Sequence, residues 1–341
     1  MFKVLEVQSH ISLQPYNTFG IPVDAARFAI VRSVSEVQSL IKDGSLKEKH
    51  LFLGGGSNVL FTADFDGLVI KNEIKGISVV REDNEFVWVQ AASGEVWHDL
   101  VLYAVEHNWG GIENLSLIPG TVGAAPMQNI GAYGVELTHV FESLKAIDIR
   151  TGGEKPFLHS DCSFGYRESV FKHAEKGNYF IASVTLRLNK SPKLHVQYGA
   201  IQDVLRDSGV EQPTIQDVSR AVIQIRTSKL PDPKILGNAG SFFKNPEISA
   251  DLYATLKEQF SDLPGYPASE GKIKVPAGYL IEKCGWKGKI VGNTGAHKNQ
   301  ALVLVNYGNA TGIEIMQLAR DIQSSVLATF GITIVPEVNL I

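Results

Sequence analysis

Apolar positions along the chain switch between a period of two and a period near 3.6. Phe28-Ala-Ile-Val31, His50-Leu-Phe-Leu53, Leu68-Val-Ile70, Ile77-Ser-Val-Val80 and Phe86-Val-Trp-Val-Gln90 are short runs rich in β-branched and aromatic residues and predict strands. Between the first two, Ser33-Val-Ser-Glu36 is a capping box, followed by Val34, Val37 and Ile41 on one face and a stop at Gly44. Glu95 to Trp109 reads as a helix with Trp97, Val101, Ala104 and Val105 along one stripe, ended by Gly110-Gly111. Leu144–Ile149 and Tyr179–Leu188 predict further strands. Thr214-Ile-Gln-Asp217 opens a helix carrying Val218, Val222 and Ile225. Leu230-Pro-Asp-Pro233 ends it, because proline lacks the ladder donor and restricts its predecessor. Thr311-Gly-Ile-Glu314 is a second capping box, leading through Ile315, Leu318, Ile322 and Val326 to Gly331. Ile332 to Val338 predicts a closing strand. This irregular mixture predicts an α+β protein with more than one lobe.

Length adds a prior of roughly two domains for 341 residues. With 44% hydrophobic and 20% charged residues, the composition excludes a disordered chain or a fibre. The net charge of -4 argues against wrapping a nucleic-acid backbone. No apolar run approaches the roughly 18 residues of a bilayer span. Met1-Phe2-Lys3-Val4-Leu5-Glu6 lacks the apolar stretch of a secretory signal. Cys162 and Cys284 lie far apart and read as reduced thiols, so a cytoplasmic protein is expected. There is no GxxxxGK[ST], HExxH or GxSxG, and no paired Cys/His spacing, so neither a P-loop nor a metal is expected.

The 32 glycines are clustered. Gly54-Gly55-Gly56-Ser57-Asn58 directly follows the His50–Leu53 run. Glycine permits positive φ and lets amides approach an anion, so the loop reads either as a phosphate cradle or as a tight turn. It is not a Rossmann fingerprint, because Val59 stands where the third glycine belongs. A second loop favours a ligand. Ile118-Pro119-Gly120-Thr121-Val122-Gly123-Ala124-Ala125-Pro126 carries small side chains nearly throughout. Gln128-Asn129-Ile130-Gly131-Ala132-Tyr133-Gly134 then supplies amides at the next turn. Two such loops suit a dinucleotide with a pyrophosphate and a flat ring.

These motifs, with Asn17-Thr-Phe-Gly20, Leu117-Ile-Pro-Gly-Thr-Val-Gly123, Phe164-Gly-Tyr-Arg167, Gly237-Asn-Ala-Gly-Ser-Phe-Phe-Lys-Asn-Pro246 and Pro336-Glu-Val338, resemble the UDP-N-acetylenolpyruvoylglucosamine reductases along nearly the whole chain. The resemblance implies a vanillyl-alcohol-oxidase (PCMH) type FAD-binding domain of two α+β lobes plus a C-terminal α+β substrate-binding domain. The first lobe is expected over residues 1–75, joined by a C-terminal strand at 331–341. The second is expected over 76–229, with a tyrosine loop near 190–200, and the substrate domain over 230–330. FAD contacts are implied for Gly54, Gly55, Gly56, Ser57, Asn58, Ile118, Pro119, Gly120, Thr121, Gly123, Ala124, Ala125, Gln128, Asn129, Gly131 and Ile181. Some relatives in that superfamily join flavin to a loop His or Cys. Neither loop here has one, so non-covalent FAD is expected, with NADPH as co-substrate.

The family reaction carries hydride from NADPH through FAD to an enolpyruvyl ether, completing UDP-N-acetylmuramate for peptidoglycan. An enol ether resists hydride unless the charge pushed towards its carboxylate is stabilised, and the adjacent carbon then needs a proton. By resemblance Arg167 is the electrophilic stabiliser, Ser241 the proton donor and Glu337 a partner of Arg167 at the carboxylate. Strand alternation would place Glu337 beside Val335 on an apolar face, unless Pro336 introduces a bulge. The resemblance also implies that Tyr198 closes over the nucleotide and Lys229 meets the diphosphate. Tyr166, Asn245, Tyr266, Lys274, Lys287 and Gln300 are implied to line the UDP-sugar site. A monomer is expected. Two rival readings stand beside this one: an oxygen-using oxidase of the same superfamily and a non-catalytic nucleotide-sugar binder.

Overall fold

The structure is a computed structural model and describes residues 5–268 and 271–341. Seven α-helices are described: α1 (Val34–Lys42), α2 (Trp97–Glu106), α3 (Gly199–Asp207), α4 (Ile215–Lys229), α5 (Ala250–Gln259), α6 (Ala277–Lys283) and α7 (Gly312–Phe330). Both expected capping boxes form. The Ser33 hydroxyl accepts from the Glu36 amide at 3.3 Å while the Glu36 carboxylate accepts from the Ser33 amide at 3.2 Å. At α7, the Glu314 amide donates to Thr311 Oγ1 at 3.2 Å and the Thr311 amide to Glu314 Oε2 at 2.7 Å. Gly331 ends that helix with φ 66°, a left-handed conformation that costs glycine nothing.

The chain divides into two units. The first comprises the stretch up to Ile11, Ala25–Gly55 and Asp66–Arg226; the second comprises Ser12–Asp24, Gly56–Phe65 and Thr227–Ile341. The glycine run is therefore shared, with Gly54 and Gly55 in the first unit and Gly56 in the second.

Two sheets build the first unit. One has the order Val7–Ser12, Asp24–Val31, Phe65–Asn72, His50–Leu53, with the last two strands parallel from His50↔Leu68 to Leu53↔Lys71. The other is antiparallel, in the order Glu154–Leu158, Phe141–Asp148, Tyr179–Asn189, Phe86–Ala92, Ile77–Glu82. Val37 and Leu40 of α1 join Val31, Ile70, Ile147 and Phe180 in a core to which both sheets contribute. Trp97, Leu100, Val101 and Ala104 of α2 pack into a larger core with Val89, Leu144 and Val184. At roughly 1.5–3 kcal/mol for each fully buried large apolar side chain, these clusters supply the main drive for folding. α2 is shorter than the periodicity suggests, ending at Glu106.

The second unit holds a four-stranded sheet in the order Gly237–Ser241, Val303–Asn306, Thr294–Ala296, Ile290–Val291. A three-stranded sheet has the order Glu247–Ser249, Lys272–Lys274, Tyr266–Pro267. Ile315, Leu318, Ile322 and Val326 of α7 are buried, as their spacing predicts.

The expected closing strand over Ile332–Val338 does not form. That stretch makes a single bridge, Pro336 with Phe243, and the strand proper is Asn339–Leu340, parallel to Val59–Leu60. Pro336 has no amide to donate, so a continuous ladder breaks there. Ile332 and Ile334 point inward while Val335 is 49% exposed. The face that Glu337 was expected to share with Val335 is thus the outward one, and Glu337 is half-buried.

Candidate functional site

In the first unit the two glycine-rich loops run backbone against backbone. A Cβ on Gly54 would fall 2.5 Å from Thr121 Oγ1, and one on Gly55 would fall 2.9 Å from the Cα of Gly120. Gly123 is equally constrained, 2.5 Å from the Cβ of Ser93. Only hydrogen at these positions allows the approach. Lys71 Nζ donates to the Gly54 carbonyl at 2.5 Å, which puts a cation at the first glycine. Burial lowers the proton affinity of Lys71, and the neighbouring Glu73 carboxylate partly restores it. Ile118 is half-buried, Pro119 and Ala124 are exposed, and Ala125 is buried in the core.

Asn129 organises the next turn. Its Nδ2 donates to Glu136 Oε2 at 2.8 Å and to the Gly165 carbonyl at 3.0 Å, and its Oδ1 accepts from the Thr138 amide at 3.0 Å. Gln128 precedes it, half-buried. Gly131 begins a two-residue hairpin strand paired with Val135–Glu136. Arg167 closes onto this turn, with Nη2 donating to the Gly131 carbonyl at 2.6 Å and Nη1 to the Asn129 carbonyl at 3.4 Å. Its guanidinium also lies 5.4 Å from the ring centre of Tyr166. Ile181 is buried in the Tyr179–Asn189 strand.

Leu117, Asn129, Tyr133 and Arg167 all have positive φ, at 58°, 41°, 50° and 57°. Each such residue costs about 1–3 kcal/mol and persists only where its surroundings enforce it. Four of them among the loop residues and the arginine of one candidate site mark a backbone shaped for something other than stability.

Arg226, on α4, escaped the sequence reading. Its Nε donates to the Leu117 carbonyl at 3.2 Å, and its side chain bonds the Tyr133 phenol and lies near Arg167. Burial pushes its proton affinity down, the Tyr133 oxygen opposes that, and the Arg167 charge adds to it. Burial likewise pushes the Tyr133 phenol up. The Tyr133 ring meets Tyr198 edge to face at 5.2 Å. Tyr198, half exposed, immediately precedes α3, a helix for which the sequence raised no expectation. The one sequence signal for Arg226 was its position directly after Ile225 on an amphipathic helix.

In the second unit Glu337 is bonded through its backbone to Phe242, the residue after Ser241. Phe242 and Lys244 follow Ser241, and they pair with the stretch around Pro336. The Glu337 amide donates to the Phe242 carbonyl at 2.8 Å and the Lys244 amide to the Val335 carbonyl at 2.9 Å. The Ser241 side is exposed at the end of its strand, after Gly240 at φ 71°. Asn58 joins them, with its Nδ2 3.4 Å from the Glu337 carbonyl oxygen. Gly56 has φ 65°, and a Cβ there would meet the Tyr16 carbonyl oxygen at 2.0 Å. Ser57 is half-buried between them.

The implied substrate contacts are more dispersed. Tyr266 and Lys274 are register partners in the small sheet, and Lys274 lies 3.8 Å from Glu247. Asn245 Oδ1 accepts from the Ala277 amide at 3.0 Å, at the start of α6. Gln300 Oε1 accepts from the Leu302 amide at 3.4 Å. Lys287 sits 3.0 Å from both oxygens of Glu282. Lys229 is exposed at the end of α4. A diphosphate drawing on Lys274 or Lys287 would compete with a resident carboxylate.

The first unit fits a flavin dinucleotide. Glycine-rich loop backbones, the Lys71 ammonium and the Arg226 guanidinium offer amides and positive charge to an anionic, flat ligand. Comparisons agree. Residues 25–154 match the model of an FAD binding domain, and residues 232–341 match the UDP-N-acetylenolpyruvoylglucosamine reductase C-terminal domain. The chain is similar to the UDP-N-acetylenolpyruvoylglucosamine reductase of Flavobacterium johnsoniae, 51% identical over 99% of this chain and 100% of that one. It is 49% identical to the enzyme of that name from Pseudomonas syringae pv. tomato, over 98% of this chain and 99% of the relative. A solved structure of the reductase from Thermus caldophilus superposes with a TM-score of 0.70 at 20% identity, covering 98% and 99% of the two chains. A solvent-stable cholesterol oxidase shares the fold with a TM-score of 0.51 at 12% identity, over 98% of this chain and 87% of the other.

Proposed function

The chain belongs to the UDP-N-acetylenolpyruvoylglucosamine reductase family, and from that premise we propose how its residues divide the work of the reaction. The enzyme is an FAD-dependent oxidoreductase that reduces UDP-N-acetylenolpyruvoylglucosamine to UDP-N-acetylmuramate with NADPH, a step of peptidoglycan precursor synthesis. When bound, FAD would supply the hydride transfer from NADPH to the vinyl carbon of the substrate.

The protein must hold the substrate, absorb charge and deliver a proton. Gly54 to Asn58, Ile118 to Thr121, Gly123 to Ala125, and Gln128, Asn129, Gly131 and Ile181 would hold the flavin, without a covalent bond. The Arg167 guanidinium meets the substrate carboxylate, where two parallel hydrogen bonds stabilise charge arriving from the vinyl group. Glu337 lies at the same carboxylate. Ser241 gives its hydroxyl proton to the carbon next to the one that gained hydride. Serine is a weak acid, so neighbouring polar groups must stabilise the alkoxide left behind.

Tyr198 covers the nucleotide, Lys229 meets its diphosphate, and Tyr166, Asn245, Tyr266, Lys274, Lys287 and Gln300 line the sugar nucleotide. We assign residues 1–75 and 76–229 to the two FAD lobes and 230–330 to substrate binding, with 331–341 returning to the first lobe. The working form is a cytoplasmic monomer. The observation that supports this division of roles is the backbone bond from the Glu337 amide to the Phe242 carbonyl, which brings Glu337 to the residue next to Ser241. Anaerobic stopped-flow absorbance tests it. NADPH should bleach the flavin and the enolpyruvyl substrate should restore it, mole for mole; rapid reoxidation by oxygen alone would favour the oxidase reading instead.

A further inference from the structure

The N-terminal turn of α2 grips the second glycine-rich loop at three points. The Trp97 indole donates to the Leu115 carbonyl at 3.1 Å, and the Trp97 amide donates to the Gly120 carbonyl at 3.0 Å. Between them, His98 Nδ1 accepts from the Leu117 amide at 2.9 Å. Leu117 is the residue at which the chain turns into the loop, and its φ of 58° is costly for a side chain branched at Cγ. Nothing in Leu117 itself favours that conformation. It is enforced from outside: His98 holds its amide and Arg226 holds its carbonyl.

The His98 contact has a chemical condition. A ring nitrogen accepts a backbone amide proton only while it carries no proton of its own, so the neutral tautomer with hydrogen on Nε2 is required. An imidazolium would present a donor to a donor. Two charged side chains bear on the ring: Asp99 beside it on α2, which favours the cation, and Arg226 on α4, which disfavours it.

We propose that neutral His98 is the positioning residue of the flavin loop: by accepting from Leu117 it imposes the turn that aims Ile118 to Gly123, and its protonation loosens the hold on FAD. This rests on the assignment of that loop to FAD. Burial, more than charge, keeps His98 below the ordinary histidine value of 6.5. The released loop therefore takes up the proton more readily than the gripped one. The contact is complete above that value and is lost progressively as pH falls below it.

The test measures flavin release from the purified holoenzyme by fluorescence at about pH 7.5 and about pH 5. Wild type should release FAD on the order of tenfold more readily at the lower pH, the loss expected for one hydrogen bond and a stranded amide. His98→Asn places an amide oxygen where Nδ1 stood and cannot gain a proton in this range, so its FAD affinity should be nearly flat between the two pH values. His98→Ala should release FAD readily at both, with the far-UV circular dichroism of the wild type. A His98→Asn enzyme with the wild-type pH dependence overturns the proposal, because other groups would then carry the effect. Wild-type protein that holds no FAD even at the higher pH overturns the flavin assignment and this inference with it.

Discussion

The amide of Glu337 donates to the carbonyl of Phe242 at 2.8 Å, which brings a carboxyl-bearing residue next to the neighbour of Ser241 across 95 positions of sequence. The bond is backbone to backbone. Substituting either side chain therefore leaves the pairing intact, and losses of activity report on the functional group alone.

Ser241→Ala should leave flavin reduction by NADPH near the wild-type rate. Reoxidation by the enolpyruvyl substrate should slow by about 10²–10⁴-fold, the range for a removed general acid. Rapid mixing of pre-reduced enzyme with substrate measures this directly, and a second half-reaction within a few-fold of wild type would remove Ser241 from its role.

Arg167→Lys keeps the charge but loses the planar fork that holds both Gly131 and Asn129 carbonyls. kcat/KM for the enolpyruvyl substrate should fall by roughly 10²–10³-fold, as for other lost donors at a developing negative charge. Steady-state kinetics with NADPH held saturating gives the value. An unchanged kcat/KM would place Arg167 in a purely structural role.

Gly55→Ala inserts a methyl 2.9 Å from the Cα of Gly120. The two loops must part, so the purified variant should carry far less flavin than wild type. The ratio of absorbance near about 450 nm, where the cofactor absorbs, to that at about 280 nm reports it. Full flavin content would mean that the loops have room to spare.

Cys162 is fully buried, and burial with the adjacent Asp161 pushes its thiol up to about 12. Thiolate is the reactive form, so Cys162 should resist a thiol reagent at neutral pH. Cys284 is partly exposed. Native protein should titrate one thiol and guanidinium-unfolded protein two; a second fast thiol in the native state would contradict the burial of Cys162.

Much of the fold was legible because its signals are local. The capping boxes at Ser33 and Thr311 need only residues three apart, and both formed. The glycines at 54, 55 and 123 read in sequence as room for an anion or a flat ligand, and the structure shows that each is also hemmed in by the chain itself. What failed to show was whatever depends on distant chain. Ile332–Val338 has the composition of a strand, yet Pro336 interrupts its pairing and turns Val335 outward. Leu117 carries no mark of its left-handed turn, since the side chains that impose it come from two other helices. Arg226 looks in sequence like the solvated edge of an amphipathic helix and becomes a half-buried cation held by Tyr133 and Leu117. The helix after Tyr198 lay hidden because its apolar residues, Ile201 and Leu205, bury themselves against α4 rather than in a main core.

The short parallel pairing of Val59–Leu60 with Asn339–Leu340 sets a schedule for the newborn polypeptide. The Thr62 amide ends on the carbonyl of Ile341, and 279 residues separate them. At about 5–20 residues per second on the ribosome, that partner arrives roughly 15–55 s later. Until then the segment following the glycine run has no mate, and its apolar Val59, Leu60 and Phe61 are exposed to chaperones and to neighbouring chains.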